Sequence, residues 1–179
     1  MKVLCIFLMF IPIHAWAYSL CEKGEVTYFS CVNGEKIISI CVSKKTNVTQ
    51  YRSGNKHNIK FKYPMSNTNQ KGIFFYSRMD GSGWGEQHLR FNDKKYTYLI
   101  YDGWYHKLPP KIGEDYKRGV SIFKKKAIPK NGEKAEFNRK YLISEMECKK
   151  ASGLMIKQPW GEGSGPWPEL EDEGFIYGP

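Results

Sequence analysis

The sequence predicts an all-β fold: a single antiparallel domain of about eight short strands, closed as a barrel or layered as a sandwich and stapled by disulfides. Three observations carry this. Short runs rich in Val, Ile, Thr, Tyr and Phe recur along the chain with turn residues between them. No stretch sustains the apolar period of an amphipathic helix. Once an export leader is set aside, an even set of cysteines remains, which in a small chain reads as a disulfide framework.

The leader comes first. Lys2 is its charged start, residues 3–13 form an apolar run, and Ala15-Trp16-Ala17 is a small-x-small cleavage motif, so processing is expected ahead of Tyr18. Removing residues 1–17 takes away Cys5 and leaves Cys21, Cys31, Cys41 and Cys148, a pattern that suits an oxidising compartment. Leu20 stands before Cys21 where lipoprotein signals carry a small residue, which argues against lipid attachment. No later stretch approaches the roughly 20 apolar residues of a spanning helix. The expectation is a soluble periplasmic or secreted protein with no transmembrane segment, divided into a signal peptide (1–17), a basic β domain (18–157) and an acidic Pro/Gly-rich tail (158–179). Residues 18–160 hold 27 basic and 13 acidic side chains, a formal +14, while residues 161–179 hold five acids and no base. Such a tail either packs on the basic body or is kept for a partner.

Residues 26–31 and 36–42 are β-rich and flank Asn33-Gly34, a pair suited to a tight hairpin turn. With that pair at the centre, Val32 faces Glu35, Cys31 faces Lys36, Phe29 faces Ile38 and Val26 faces Cys41. One face then carries Phe29, Cys31, Ile38 and Ile40, and the other Val26, Tyr28, Ile37 and Cys41. Cys31 and Cys41 fall on opposite faces, too far apart for a disulfide. The favoured pairing of the three possible is Cys21 with Cys41, reached through Gly24, and Cys31 with Cys148; a slipped hairpin would change it. Neither a Cys-x-x-Cys pair nor a His-x-x-x-His cluster accompanies these cysteines, so no metal and no cofactor is expected.

Residues 44–48 read as a loop, in which the Asn47-Val48-Thr49 sequon is taken as chance, and residues 50–52 as a short strand broken by Ser53-Gly54. Residues 57–63 alternate polar positions with Ile59, Phe61 and Tyr63, a strand ended by Pro64. A polar loop at 66–70 leads to a short apolar strand at 73–76, and DGSGWG at 80–85 is a glycine-rich turn. Residues 87–91 and 96–101 form a second hairpin around 92–95. Residues 102–118 hold two prolines and two glycines and read as a long surface loop. Strand character resumes at 120–126, a turn follows at 129–133, residues 135–148 are a strand or short helix, and proline and glycine rule out regular structure from 158 onward.

Cys21, Glu25, Phe29-Ser30-Cys31, Gly34, Ser39 and Cys41, followed by Tyr51, Gly54, Leu89-Arg90-Phe91 and Tyr96-Thr97-Tyr98, resemble an uncharacterised family of small secreted, disulfide-containing proteobacterial proteins. The resemblance spans residues 21–101 and extends more weakly to Cys148. It implies bacterial export and disulfides, not an activity. The chain departs from that pattern in its more basic charge and in the Trp104-bearing segment.

Chemistry is sparsely signalled. His57, His88 and His106 sit on three separate predicted elements, no serine lies in a Gly-x-Ser-x-Gly elbow, and the cysteines are committed to disulfides, so no nucleophile with a base is visible and the chain is not expected to be an enzyme. His88 reads as a half-buried strand residue. Glu86 and Asp102 are the acids that could pair across a glycosidic bond, which with His106 would make a cell-wall hydrolase, the third-ranked reading. The basic-aromatic runs Lys60-Phe61-Lys62-Tyr63 and Arg90 to Tyr96 could stack single-stranded nucleic acid, but export and simple inward-outward alternation explain them without such a partner. The favoured reading is an exported binding protein that caps a toxin or enzyme in the periplasm, as an immunity protein or inhibitor, with Trp84, Trp104, Tyr105 and His106 as anchors. A +14 body would repel basic targets such as lysozymes, which favours an acidic-clefted toxin. The alternative is attachment to an anionic lipopolysaccharide or phospholipid surface.

Overall fold

The computed structural model describes residues 18–66, 72–107, 113–124, 139–152 and 171–172, and shows a sandwich of two sheets rather than a closed barrel. The first sheet contains β1 (Glu25–Asn33), β2 (Lys36–Ser43), β3 (Thr49–Asn55) and β4 (Asn58–Tyr63), a meander extended by β10 (Lys150–Ser152) beside β1. The second contains β5 (Phe74–Gly81), β6 (Trp84–Asn92), β7 (Tyr96–Lys107), β8 (Gly113–Lys124) and β9 (Leu142–Glu147), again consecutive and antiparallel. A two-residue strand, β11 (Glu171–Asp172), runs parallel to β5 at its free edge. One turn of 3-10 helix, Arg139–Tyr141, leads into β9. Among the described residues no helix is long and apolar enough to cross a membrane.

The layers meet through the alternating side chains of each strand. Phe29, Cys31, Ile38, Ile40, Val42 and Tyr51 from the first sheet pack against Phe74, Leu89, Phe91, Tyr98, Ile100, Val120 and Met146 from the second. Aromatic rings hold the centre: Tyr51 lies 4.9 Å from Phe91 between centroids, and Phe91 stacks on Tyr98 at 4.6 Å and on Tyr63 at 5.0 Å. Such pairs add roughly 0.5–1.5 kcal/mol beyond area burial. Phe61 and Tyr63 face this core while Lys60 and Lys62 are exposed, and Phe91 is fully buried, so of the rings in these basic-aromatic runs Tyr96 alone is exposed.

Two disulfides staple the frame, Cys21–Cys41 and Cys31–Cys148, the pairing favoured by the sequence and one that suits an oxidising environment. Cys148 sits where the chain leaves β9 in one sheet for β10 in the other. Its N–H donates to the Arg118 carbonyl at 2.9 Å and that of Lys149 to the Val32 carbonyl at 2.9 Å, so the bond to Cys31 ties the crossing point to both layers. The segment 18–21 lies over the outer face of the first sheet. Ser30 Oγ donates to the Tyr18 carbonyl, Leu20 N–H donates to Ser39 Oγ at 3.0 Å, and buried Arg52 grips Glu25 through two bonds of 2.8 and 2.7 Å while donating to the Leu20 carbonyl at 2.9 Å.

Several expectations are corrected. The first hairpin turns on Gly34-Glu35, not Asn33-Gly34: Asn33 pairs with Lys36, Cys31 with Ile38 and Phe29 with Ile40. Gly34 alone takes a positive φ, +61°, which places it first of the two central residues, as a II′ connection requires. An irregularity between Thr27 and Phe29 then brings Tyr28 into the core beside Phe29. Cys31 and Cys41 still lie on opposite faces, so the pairing argument survives the shift. β3 runs through Ser53-Gly54 to Asn55, because the bare Gly54 lets the backbone of Asn58 and Ile59 come within reach; a Cβ there would meet the Asn58 carbonyl oxygen at 2.1 Å. Ile59 is exposed.

The larger corrections fall in the second sheet. Residues 102–107 continue β7 and 113–118 open β8, so the expected long loop is a hairpin in which Trp104 pairs with Tyr116 and Tyr105 with Asp115. Its prolines lie at 108–112, outside the described residues. DGSGWG is not all turn: Asp80 and Gly81 end β5, Trp84 and Gly85 begin β6, and only Ser82-Gly83 connect them. Residues 142–147 of the ambiguous segment are strand, and the tail contains β11. The expected leader and the turn at 129–133 lie outside the described residues.

Candidate functional site

β5 to β8 outrun the first sheet. The core ends near Ile100 and Val120, yet β7 continues to Lys107 and β8 begins at Gly113, so among the described residues neither face of the far end has a covering layer. All four anchor residues expected from the sequence come together on this projection. Trp84 and Tyr105 are directly opposed cross-strand neighbours on its outer face, as the register Trp84↔Tyr105 requires. Trp104 and His106, two residues apart, share the inner face with their rings edge to face at 5.3 Å. The backbone N–H of His106 donates to the Gly83 carbonyl at 2.7 Å, closing the β5–β6 turn against β7. Trp84, Trp104 and Tyr105 are half-buried, His106 is exposed, and Tyr116, across from Trp104, is exposed at 50%.

Glycines make room for these rings. A Cβ on Gly81 would stand 2.3 Å from the Trp84 indole nitrogen, one on Gly85 would stand 2.4 Å from that of Trp104, and one on Gly103 would stand 2.9 Å from the Tyr105 hydroxyl. Each indole therefore lies against the backbone of a neighbouring glycine, the packing by which aromatics compensate for glycine in a strand. The rings are fixed by the sheet and not carried on a flexible loop.

Charges set the two faces apart. On the inner face Asp102 is buried and receives the Arg118 Nε–H at 2.5 Å, while the Arg118 guanidinium covers the Tyr116 ring at 4.4 Å. Asp80 accepts from Arg78 at 2.5 Å at the rim. On the outer face Glu86 lies 2.8 Å from His88 Nε2 and accepts the Tyr105 hydroxyl at 3.4 Å. Burial alone would raise the Glu86 pKa, but the hydrogen bond and charge of His88, with Tyr105 and Lys117, hold it below the usual glutamate range. Burial, then Glu86, pushes the Tyr105 hydroxyl up. A shallow cavity of about 530 Å³ opens here, lined by Trp84, Glu86, Tyr105, His106 and the Ser82-Gly83 turn.

Not every candidate converges. In the register Glu86 opposes Gly103 while Asp102 opposes Gln87, so the two acids project from opposite faces and do not flank one cleft. His88 is fully buried beside Glu86, deeper than the half-buried position expected from its strand. Elsewhere Cys21, Glu25 and Cys41 bring three ligand-type atoms within 4.8 Å, but both sulfurs are spent in a disulfide and the carboxylate is taken by Arg52. Sequence reasoning missed Tyr116 and Arg118, which join the site only because 113–118 pair with 102–107. The alternation of Tyr116 with Arg118 and Val120 was the available signal. No family model matches the chain, and no match is found among curated proteins or solved structures.

Proposed function

We propose that this chain is an exported, non-catalytic binding protein that caps a protein partner, an antibacterial toxin or an enzyme, in the periplasm or outside the cell. The single observation that carries the reading is the gathering of Trp84, Trp104, Tyr105 and His106 on a sheet end where, among the described residues, no core cluster buries them. Tryptophan, tyrosine and arginine dominate interface energetics when they fill a partner's pockets. Rings already fixed in place lose little freedom on docking. The formal +14 of residues 18–160 would draw an acidic partner and make association weaken with salt. A hydrolase built on Glu86, Asp102 and His106 gains nothing from this geometry, since the two acids face opposite ways.

The test is affinity capture from extracts containing the products of neighbouring genes, at low and moderate salt, beside a Trp104→Ala/Tyr105→Ala variant. The expected result is one stoichiometric protein held by the wild type at moderate salt and released by the variant, whose melting temperature shifts by only a few degrees. Equal capture by both, or recovery of lipid or glycan alone, would overturn the reading; the second outcome would favour attachment to an anionic lipopolysaccharide or phospholipid surface.

A further inference from the structure

A separate cleft lies on the outer face of the first sheet, at the end where the β1–β2 and β3–β4 turns meet the start of β10. Its volume is about 590 Å³, within the range of small-molecule sites. Val32 and Ile37, cross-strand neighbours on that face, form an apolar floor, and Tyr18 supplies a ring at one side. The rim is cationic. Lys56 and His57 come from the β3–β4 turn and Lys149 and Lys150 from the chain entering β10, against the single acid Glu35. All three lysines are exposed and none forms an ion pair among the described residues. Three ammonium groups with one carboxylate leave the mouth net positive. Cleavage ahead of Tyr18, as expected from the sequence, would add the new α-ammonium at that side.

We infer that this cleft binds a monomeric amphiphilic anion, a carboxylate head on an aliphatic chain, with the chain on Val32 and Ile37 and the head among Lys56, Lys149 and Lys150. The chemistry is complementary in both halves. Aliphatic surface placed on the floor leaves water, and an anionic head at the mouth meets lysines that are not already paired within the described residues. A purely apolar ligand would waste the rim and a small anion would waste the floor. The site is independent of the aromatic projection and goes beyond the protein-capping reading.

The experiment titrates the mature protein with decanoate, 1-decanol and acetate, following Val32 and Ile37 methyl resonances. Decanoate should saturate a single site and shift both methyls, with 1-decanol and acetate each at least about tenfold weaker. A Lys56→Gln/Lys149→Gln/Lys150→Gln variant, altered only at exposed positions, should weaken decanoate at least about tenfold and leave 1-decanol unchanged. Absence of saturation by about 1 mM decanoate, equal affinity for decanoate and 1-decanol, an unaffected triple variant, or response only to phosphatidylglycerol vesicles would each overturn the assignment. Capture through Trp104 and Tyr105 would be untouched by any of these outcomes.

Discussion

The two disulfides should differ in worth, and the difference follows from chain length. Cys21–Cys41 spans a sequence separation of 20 and Cys31–Cys148 one of 117. In the chain-entropy account these closures restrict the unfolded state by about 3 and about 5 kcal/mol respectively. Folded-state losses do not reverse that order. Without the long bond, the seam it closes keeps Lys149 N–H on the Val32 carbonyl and Asn33 Nδ2 on the Glu147 carbonyl, and without the short one Leu20 keeps Ser39 and Arg52. The perturbation is a pair of variants, Cys21→Ala/Cys41→Ala and Cys31→Ala/Cys148→Ala, each retaining one disulfide. Each is unfolded in urea before and after reduction, so cavity effects of the alanines cancel within a variant. Reduction should cost the variant retaining Cys31–Cys148 about 1.5 kcal/mol more than the other, or about 4 °C in melting temperature. An equal or larger loss on reducing Cys21–Cys41 would refute the entropic reasoning and show that the short staple acts mainly by holding the folded N-terminal segment.

Arg52→Met should destabilise by about 3 kcal/mol in urea unfolding, because the half-buried Glu25 carboxylate would lose both of its bonds to the guanidinium and be left with the Glu22 N–H, and Glu25→Met added to it should recover much of the loss. Gly85→Ala should displace the Trp104 indole, visible as a red shift of tryptophan emission and weaker capture of the partner, with no such effect from Gly34→Ala at the distant turn. Glu86, whose folded pKa lies below its ordinary 4.5, should contribute stability that is fully present above the ordinary value and lost as pH falls through the depressed one; Glu86→Gln should flatten that acid-side fall in the urea midpoint. Deleting residues 161–179 removes β11 from the β5 edge and should lower the melting temperature by a few degrees, whereas an unchanged melting temperature would mean that the tail contributes nothing to the body.

The fold class and the disulfide pairing were legible because they rest on period and parity. Alternation places Phe29, Cys31, Ile38 and Ile40 on one face for either two-residue turn, and that parity separates Cys31 from Cys41, so a turn misplaced by one residue did no damage to either conclusion. The extent of the second sheet was not legible, for a reason that is also physical. Gly81, Gly85 and Gly103 look like breakers in a one-dimensional reading, yet each is a seat for an aromatic ring supplied from its own strand or the next. A glycine and a tryptophan that compensate one another across a ladder carry no local signature, and Pro109-Pro110, which lie between β7 and β8 in the sequence, spread the appearance of loop over strands on either side.

That misreading bears on how the anchors would act. Had Trp104, Tyr105 and His106 stood on a mobile loop, binding would have to order them, at roughly 0.5–1.5 kcal/mol for each immobilised side chain together with the backbone between. On β7 the backbone is already held by ladders to β6 and β8, and each indole is already seated over a glycine. Under the docking reading proposed above, the same packing that hides these rings from the sequence would favour binding: among the described residues the first sheet stops short of them, so part of their surface is exposed, while the second sheet holds their orientation. Lengthening the first sheet over this end would stabilise the monomer and abolish the surface. If the proposed function holds, the projection is stability left unrealised in the free protein, which a partner of matching shape would recover on docking.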